Sequence, residues 1–173
     1  MAGKCDAGGN IDHGLEIYVD LYKFLQKGDW NAAKGFLNSF PHAISAKITG
    51  RGSTALHVAA DAGHVHIVEE LVKQMSVENL EIKDNFGATA LTVATLKGYY
   101  RIAECLLGKN ENLIRFGGDG GNIPLISALY CGHLNLARYL YLLTPLEILL
   151  PENGFIGATV VCEAIFNKAF GKN

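Results

Sequence analysis

The chain has 173 residues, of which 49% are hydrophobic and 18% are charged, and its formal net charge is −2. This composition excludes a disordered chain, which needs low hydrophobicity and high net charge. Lysine and arginine are scattered without a run of four, which argues against a surface for nucleic acid or anionic membrane. The four cysteines form no CxxC pair, so neither a disulfide framework nor a zinc site is predicted, and free thiols fit a reducing compartment.

The first residues, 1–14, are polar and glycine-rich, and we expect them to be a flexible N-terminus. They lack the apolar segment of a signal peptide. The longest apolar stretch, Tyr139 to Leu150, contains Pro145 and Glu147 and is shorter than the roughly 20 residues that span a bilayer. We therefore expect a soluble, cytoplasmic chain.

A segment with a leucine and a closing glycine then recurs at a spacing of 35 and 34 residues. The aligned positions are Leu56, Leu91 and Leu125, followed by Gly63, Gly98 and Gly132. A degenerate earlier copy contains Leu21 and Gly28, and a later copy begins at Gly157. Such a period indicates stacked units that cannot bury an apolar face alone. We place one domain at 15–173, with repeats at about 18–47, 51–82, 85–115 and 119–150 and a partial fifth at 154–173.

The residue pattern of each unit predicts a turn, a helix, a second turn and a second helix. Thr54 and Thr89 precede short apolar helices that their hydroxyls would cap, and Pro124 fits a first helical turn. The closing glycines supply the positive φ that ends this first helix. Apolar residues at helical spacing predict the second helix, as at Val65, Ile67, Val68, Leu71 and Val72, at Ile102, Ala103, Leu106 and Leu107, and at Leu136, Ala137, Leu140 and Tyr141.

The segment Thr54-Ala55-Leu56-His57, with Ala59-Ala60, Gly63-His64 and Ile67-Val68, resembles the ankyrin repeat over roughly residues 18–166. The resemblance implies an all-α solenoid of helix–turn–helix repeats joined by hairpin-like turns, with about four repeats and a truncated fifth in a gently curved array. It also implies a scaffold or adaptor in signalling that binds other proteins, without catalysis and without a cofactor.

A narrower resemblance lies in Ala46–Gly50, Lys109–Leu113 and Arg138–Leu146. These segments are similar to the plant ankyrin family whose longer members end in a membrane-spanning PGG domain and are linked to defence and salt-stress signalling. The sequence stops at Asn173, within a fifth repeat and before any such domain, so membrane attachment is not carried over. The alternative to an adaptor is a truncated or regulatory form of a membrane-anchored relative.

Residue types that serve catalysis elsewhere are interpreted here as structural. His57 is expected to bond to the neighbouring turn. His64 and His133 begin second helices, where a polar side chain meets unpaired backbone N–H groups. Nothing aims Cys131 and His133 at each other, as a nucleophile and its base require. The glycine run 117–121 lacks a phosphate-binding pattern and predicts a hairpin turn. We predict neither an enzyme nor a metal site.

Partners are expected on the concave surface, which in this family is built from turn tips and the exposed ends of the first helices. Carried over by register, the candidate binding residues are Arg51, Asp61, Asn85, Phe86, Leu96, Lys97, Asp119 and Tyr130. We predict that Phe86, Leu96 and Tyr130 form an exposed apolar patch with a polar rim, as binding hot spots do. In the alternative, Phe86 folds into the core between repeats and Tyr130 packs on Tyr99 or Tyr100.

The C-terminal end predicts a second surface. Its last predicted helix lacks a partner helix, and a solenoid end needs a polar outer face. The apolar residues there are Phe155, Ile156, Val160, Val161, Ile165, Phe166 and Phe170. We expect this end to favour self-association or another apolar partner.

Overall fold

A computed structural model describes residues 14–118, 121–150 and 156–166. Ten α-helices lie in these ranges: α1 Val19–Lys27, α2 Trp30–Ser39, α3 Ala55–Asp61, α4 Val65–Gln74, α5 Ala90–Lys97, α6 Tyr100–Lys109, α7 Pro124–Tyr130, α8 Leu134–Leu143, α9 Leu146–Leu149 and α10 Ile156–Phe166. Short 3-10 helices cover Glu16–Tyr18, Pro41–Ile44, Glu78–Glu81 and Glu111–Arg115.

The helices pair in sequence, α1 with α2, α3 with α4, α5 with α6 and α7 with α8. The first helices of the pairs also form a row in which α1 contacts α3, α3 contacts α5, α5 contacts α7 and α7 contacts α10. The second helices α4 and α6 pack behind this row. The predicted all-α array of helix–turn–helix repeats is confirmed.

The first helices begin as the sequence predicts. The Thr54 hydroxyl accepts the N–H of His57 while the Thr54 N–H donates to His57 Nδ1 (3.3 Å), which is a capping box with histidine in place of the usual glutamate. In the next repeat the hydroxyl of Thr89 accepts the N–H of Thr92 (3.4 Å). Pro124 occupies the first turn of α7. Each cap satisfies a backbone donor that the helix itself cannot.

A glycine in the left-handed region follows the first helix of these pairs, with φ of 76° for Gly63 and 74° for Gly98. Next to Gly98 lies the imidazole of His133, whose Nε2 bonds to the carbonyl of Leu96 (3.1 Å). His64 likewise bonds to the carbonyl of Gln26 (3.0 Å). Neither histidine caps its own helix. The predicted capping role is therefore wrong, because each ring reaches the helix end of the preceding repeat and links the two units.

The core runs along the array and repeats in register. Leu21, Leu56, Leu91 and Leu125 are all buried between first helices. The small residues Ala59, Ala94 and Ala128 are fully buried and leave room for close helix packing. The second helices predicted from the apolar spacing are confirmed as α4, α6 and α8, although Tyr141 of α8 is exposed.

Hairpin-like turns connect the repeats on one edge. In the first, Ile48 N–H donates to Ser53 O (2.8 Å); in the second, Asp84 N–H donates to Ala88 O (2.9 Å). In the third, Gly118 N–H donates to Asn122 O (3.2 Å), a bond that spans part of the predicted turn. Gly52, Gly87 and Gly121 adopt positive φ in these turns. These tips stand beside the row of first helices and form one wall of the site described next.

Candidate protein-binding site

A groove of about 860 Å³ lies between the hairpin tips and the exposed ends of the first helices. Its apolar surface is formed chiefly by Leu15, Val19, Tyr22, Ile48, Val58, Phe86, Val93 and Leu96. These apolar residues come from the N-terminal part of the array through the third repeat, and Asn122 and Ser127 of the fourth repeat also line the groove. A concave surface that is apolar at its centre and charged at its edge has the composition of a protein-binding site.

Five of the eight predicted binding residues line this groove: Arg51, Asp61, Phe86, Leu96 and Lys97. Tyr130 is 78% exposed but does not line it. Asp119 lies outside the described residues. The structure therefore brings most of the predicted set together and leaves Tyr130 apart.

Phe86 stands at the tip of the second hairpin, held there by Asp84. One carboxylate oxygen of Asp84 accepts the N–H of Phe86 and that of Ala88, each at 2.9 Å. The Phe86 ring is 49% exposed, with the guanidinium of Arg51 stacked 4.8 Å from its centroid. This ring faces solvent instead of folding into the core, and the stacked cation orients it.

Leu96, near the end of α5, lines the same groove as Phe86 and is 48% exposed. Beside it, Lys97 Nζ lies 3.0 Å from a carboxylate oxygen of Asp61 at the end of α3. This ion pair links two neighbouring first helices and forms part of the charged rim. Both side chains are about half exposed, so solvent screens the pair and its contribution to stability is small.

Tyr130 takes neither of the positions considered for it in the alternative. Tyr100 instead pairs with Tyr139, with ring centroids 5.0 Å apart, and Tyr99 lies against Gly63. Tyr130 is left as a large exposed side chain at the end of α7. Any part that it takes in binding lies beyond the groove itself.

Asn85 has a role that its register position does not reveal. Its backbone N–H donates to Arg51 O (2.9 Å), and its side-chain amide donates to Gly50 O (3.2 Å). Its Oδ1 accepts from Lys47 Nζ (3.4 Å). The residue predicted to contact partners is thus the link between the first two hairpin tips.

His57 lies beneath the groove and is buried. Its Nδ1 accepts the Thr54 N–H, so the proton sits on Nε2, which donates to Ala88 O at 2.9 Å. Burial lowers the pKa of His57 below its ordinary value, opposed in part by the bond to Ala88 and by nearby Asp84. One ring nitrogen is thus bonded within the repeat and the other to the next hairpin, which confirms the predicted bond to the neighbouring turn.

Sequence reasoning missed the contribution of the first repeat. Leu15, Val19 and Tyr22 form one end of the groove, although this copy of the repeat is degenerate. One signal in the sequence could have found it. Val19 and Tyr22 lie close to Leu21, the position that aligns with the buried leucines of the later repeats, but on the side of the helix that points away from the core.

Two further observations concern the residues that the structure describes. They include no group of three His, Cys, Asp or Glu side chains placed to hold a metal ion. None of their helices combines the length and the apolar character that a membrane span requires. At the C-terminal end Val161 and Ile165 are exposed, while Phe155, Phe170 and the side chain of Phe166 lie outside the described part.

Comparison with known proteins agrees with this architecture. A family model for ankyrin repeats in three copies matches residues 21–115. The ankyrin repeat-containing protein ITN1 of Arabidopsis thaliana is 37% identical over 71 residues, which are 41% of this chain and 12% of that protein. Human calmodulin-binding transcription activator 2 is 32% identical over 145 residues, or 78% of this chain and 11% of that protein.

The probable E3 ubiquitin-protein ligase XBOS32 of Oryza sativa subsp. japonica is 28% identical over 118 residues, or 68% of this chain and 23% of that protein. The chain spans less than a quarter of the length of each of these relatives. The activities that the names of these longer proteins state are therefore not carried over to this chain. Because the family model covers more than half of the residues, and the helix pairs recur at its period, the chain belongs to the ankyrin-repeat family and resembles its plant members.

Proposed function

We propose that this chain is a non-enzymatic scaffold or adaptor that binds a partner protein reversibly in the groove. The observation that carries the proposal is the pair of half-exposed apolar side chains, Phe86 and Leu96, between the charged groups of Arg51, Asp61 and Lys97. Ankyrin repeats form protein-interaction modules. Covering an exposed leucine and an exposed aromatic ring with a partner is favourable, because each Å² of apolar surface removed from water stabilises the complex by roughly 25 cal/mol.

The cellular setting that we propose is signalling in the cytoplasm, of the plant stress or defence type. Its support is the similarity to the Arabidopsis ankyrin protein and the absence of a membrane-length helix among the described residues. Within that setting, an adaptor without catalysis agrees with a groove whose single histidine is buried and fully hydrogen-bonded. Binding, rather than turnover, is the activity to assay.

The test is affinity capture from an extract of the source organism, followed by a binding measurement with each purified partner. The Phe86→Ser/Leu96→Ser variant is compared with Val77→Ser/Leu142→Ser, which removes exposed apolar side chains that do not line the groove. We expect the groove variant to lose the partner while the control retains it and both keep the helical circular dichroism of the parent. Equal binding by both variants would reject the groove.

Tyr130→Ser is measured separately, because Tyr130 lies outside the groove. A loss of affinity in that variant alone would move the binding surface toward the fourth repeat. Unchanged affinity would confine the apolar contact to Phe86 and Leu96.

A further inference from the structure

Three cations stand on the hairpin side of the groove: Lys47 and Arg51 on the first hairpin and Lys83 at the start of the second. All three side chains are exposed. We refer to these three residues as the basic ridge. The net charge of the whole chain is −2, so this local concentration is not a consequence of overall composition.

None of the three cations of the basic ridge forms an ion pair within the described part of the chain. The four ion pairs found there use Lys23, Lys73, Lys97 and Arg115 instead. The acidic neighbours are engaged in the protein's own contacts, because Asp84 accepts two backbone N–H groups and Glu81 accepts from the amide of Asn110. The ridge therefore offers charge to a partner.

The cations of the ridge are also held in place. Lys47 Nζ bonds to Asn85, and Arg51 stacks on the Phe86 ring. Lys83 Nζ lies 5.1 Å from the centroid of the Phe116 ring. A cation resting on an aromatic face keeps its N–H groups available for an acceptor, so Arg51 combines an apolar contact with a free planar donor set.

Deepening the proposed function, on which this inference rests, we propose that the partner segment is an acidic peptide with an apolar anchor. Its leucine or aromatic side chain covers Phe86 and Leu96, and two or more of its carboxylates meet the basic ridge. A carboxylate at Arg51 forms two parallel N–H···O bonds. Glu16, which also lines the groove, disfavours a polyanion such as nucleic acid, whose phosphates would occupy the groove along its length.

The experiment pans a phage-displayed library of random peptides on four forms of the full chain. They are the parent, the Phe86→Ser/Leu96→Ser groove variant, the ridge variant Lys47→Glu/Arg51→Glu/Lys83→Glu, and a control variant Lys34→Glu/Arg101→Glu/Lys109→Glu. The control reverses three exposed cations on the second helices and changes the net charge equally. A ridge variant with glutamine at the same positions replaces the glutamate form if circular dichroism shows that the latter is unfolded.

We expect the parent and the control to select peptides that combine a leucine or aromatic residue with two or more acidic residues. A fluorescent copy of the most enriched peptide should bind the ridge variant about tenfold more weakly, with smaller dependence on salt between about 50 and 300 mM, because rim charges act mainly through screened attraction. Its affinity for the control variant should match that for the parent.

The outcomes separate the two proposals. Peptides that need the groove but carry no acidic residues overturn the inference and leave the proposed function standing. The absence of any groove-dependent peptide overturns both. A labelled single-stranded oligothymidylate that binds through the ridge with the same affinity in the parent and in the groove variant overturns the inference in favour of nucleic acid.

Discussion

The middle of the array and its C-terminal end use the same repeat positions differently. At Gly98, in the third repeat, an alanine Cβ would lie 2.6 Å from the His133 ring that the fourth repeat supplies. Gly132 is the equivalent glycine one repeat later, with nearly the same φ of 73°, and no described atom lies within 4 Å of such a Cβ. One position is an interface between repeats, and the other has no neighbour among the described residues.

Buried side chains show the same contrast. Ile126 of α7 is 3% exposed, whereas Val161 and Ile165 of α10 are 57% and 72% exposed. Leu107 of α6 is buried, whereas Tyr141 of α8 is exposed. In a solenoid each unit is buried by its neighbour. The neighbouring repeat, more than the residue type, therefore decides which positions form the core.

The largest expected effect tests this contrast with two leucine substitutions. Leu91→Ala removes a fully buried side chain of α5, which packs against α3, α6 and α7, and should lower the free energy of unfolding by about 2–5 kcal/mol. Leu142→Ala, at an exposed position of α8, should change it by less than about 0.5 kcal/mol. Urea unfolding followed by circular dichroism measures both. Similar losses would mean that exposure in this array does not predict stability.

The paired glycines come next. Gly132→Ala strains the left-handed backbone only, at a cost of about 1–2 kcal/mol. Gly98→Ala adds a clash with His133 and weakens the hydrogen bond from His133 to Leu96 O. We therefore expect Gly98→Ala to lower the free energy of unfolding by about 1 kcal/mol more than Gly132→Ala does. Thermal unfolding of both variants, repeated with His133→Ala, completes the cycle. The difference should disappear in that background, and its persistence would exclude the ring as the cause.

A smaller effect depends on pH. Because the folded pKa of His57 is lowered, the unfolded chain binds a proton more readily, so His57 contributes to stability above its unfolded pKa, near 6.5. That contribution is lost as pH falls from there through the folded pKa. His57→Thr, which copies the Thr89–Thr92 arrangement of the next repeat, should therefore lose less stability than the parent between pH 7.5 and pH 5. Parallel pH curves for the two chains would contradict this.

The smallest expected effect is at the Asp61–Lys97 pair, which joins the second and third repeats. Lys97→Met should lower the free energy of unfolding by less than about 0.5 kcal/mol, because both groups are half exposed and screened. The effect should vanish in molar salt. A loss that is larger, or that does not depend on salt, would show that solvent does not screen this pair as its exposure implies.

The sequence predicts the parts of this structure that depend on local chemistry. Thr54, Thr89, Pro124 and the closing glycines determine where helices begin and end, and their period determines the stacking. The links between repeats depend on contacts across more than 30 residues, as between His64 and Gln26 or Asn110 and Val77. No local pattern specifies such a contact, which is why the histidines were assigned to their own helices.

The groove shows the same division. Register places Arg51, Phe86 and Leu96 correctly on it, because tips and helix ends repeat with the period. It places Tyr130 there as well, although Tyr130 does not line the groove. It does not identify Lys47 and Lys83 as one cluster with Arg51, since counting charge along the chain separates residues that the hairpins bring together. A sum of the charges over the hairpin turns alone would have identified this cluster of three cations.

The bonds of Asn85 have a consequence for how tightly a partner is held. Because its backbone and side chain already join the first two hairpins, the spacing between Arg51 and Phe86 is set before any ligand arrives. A binding surface that is preorganised in this way loses little conformational entropy when it is occupied, so more of the contact energy is retained as affinity. We therefore expect Asn85 to lower the dissociation constant of a partner in the groove without having to touch that partner.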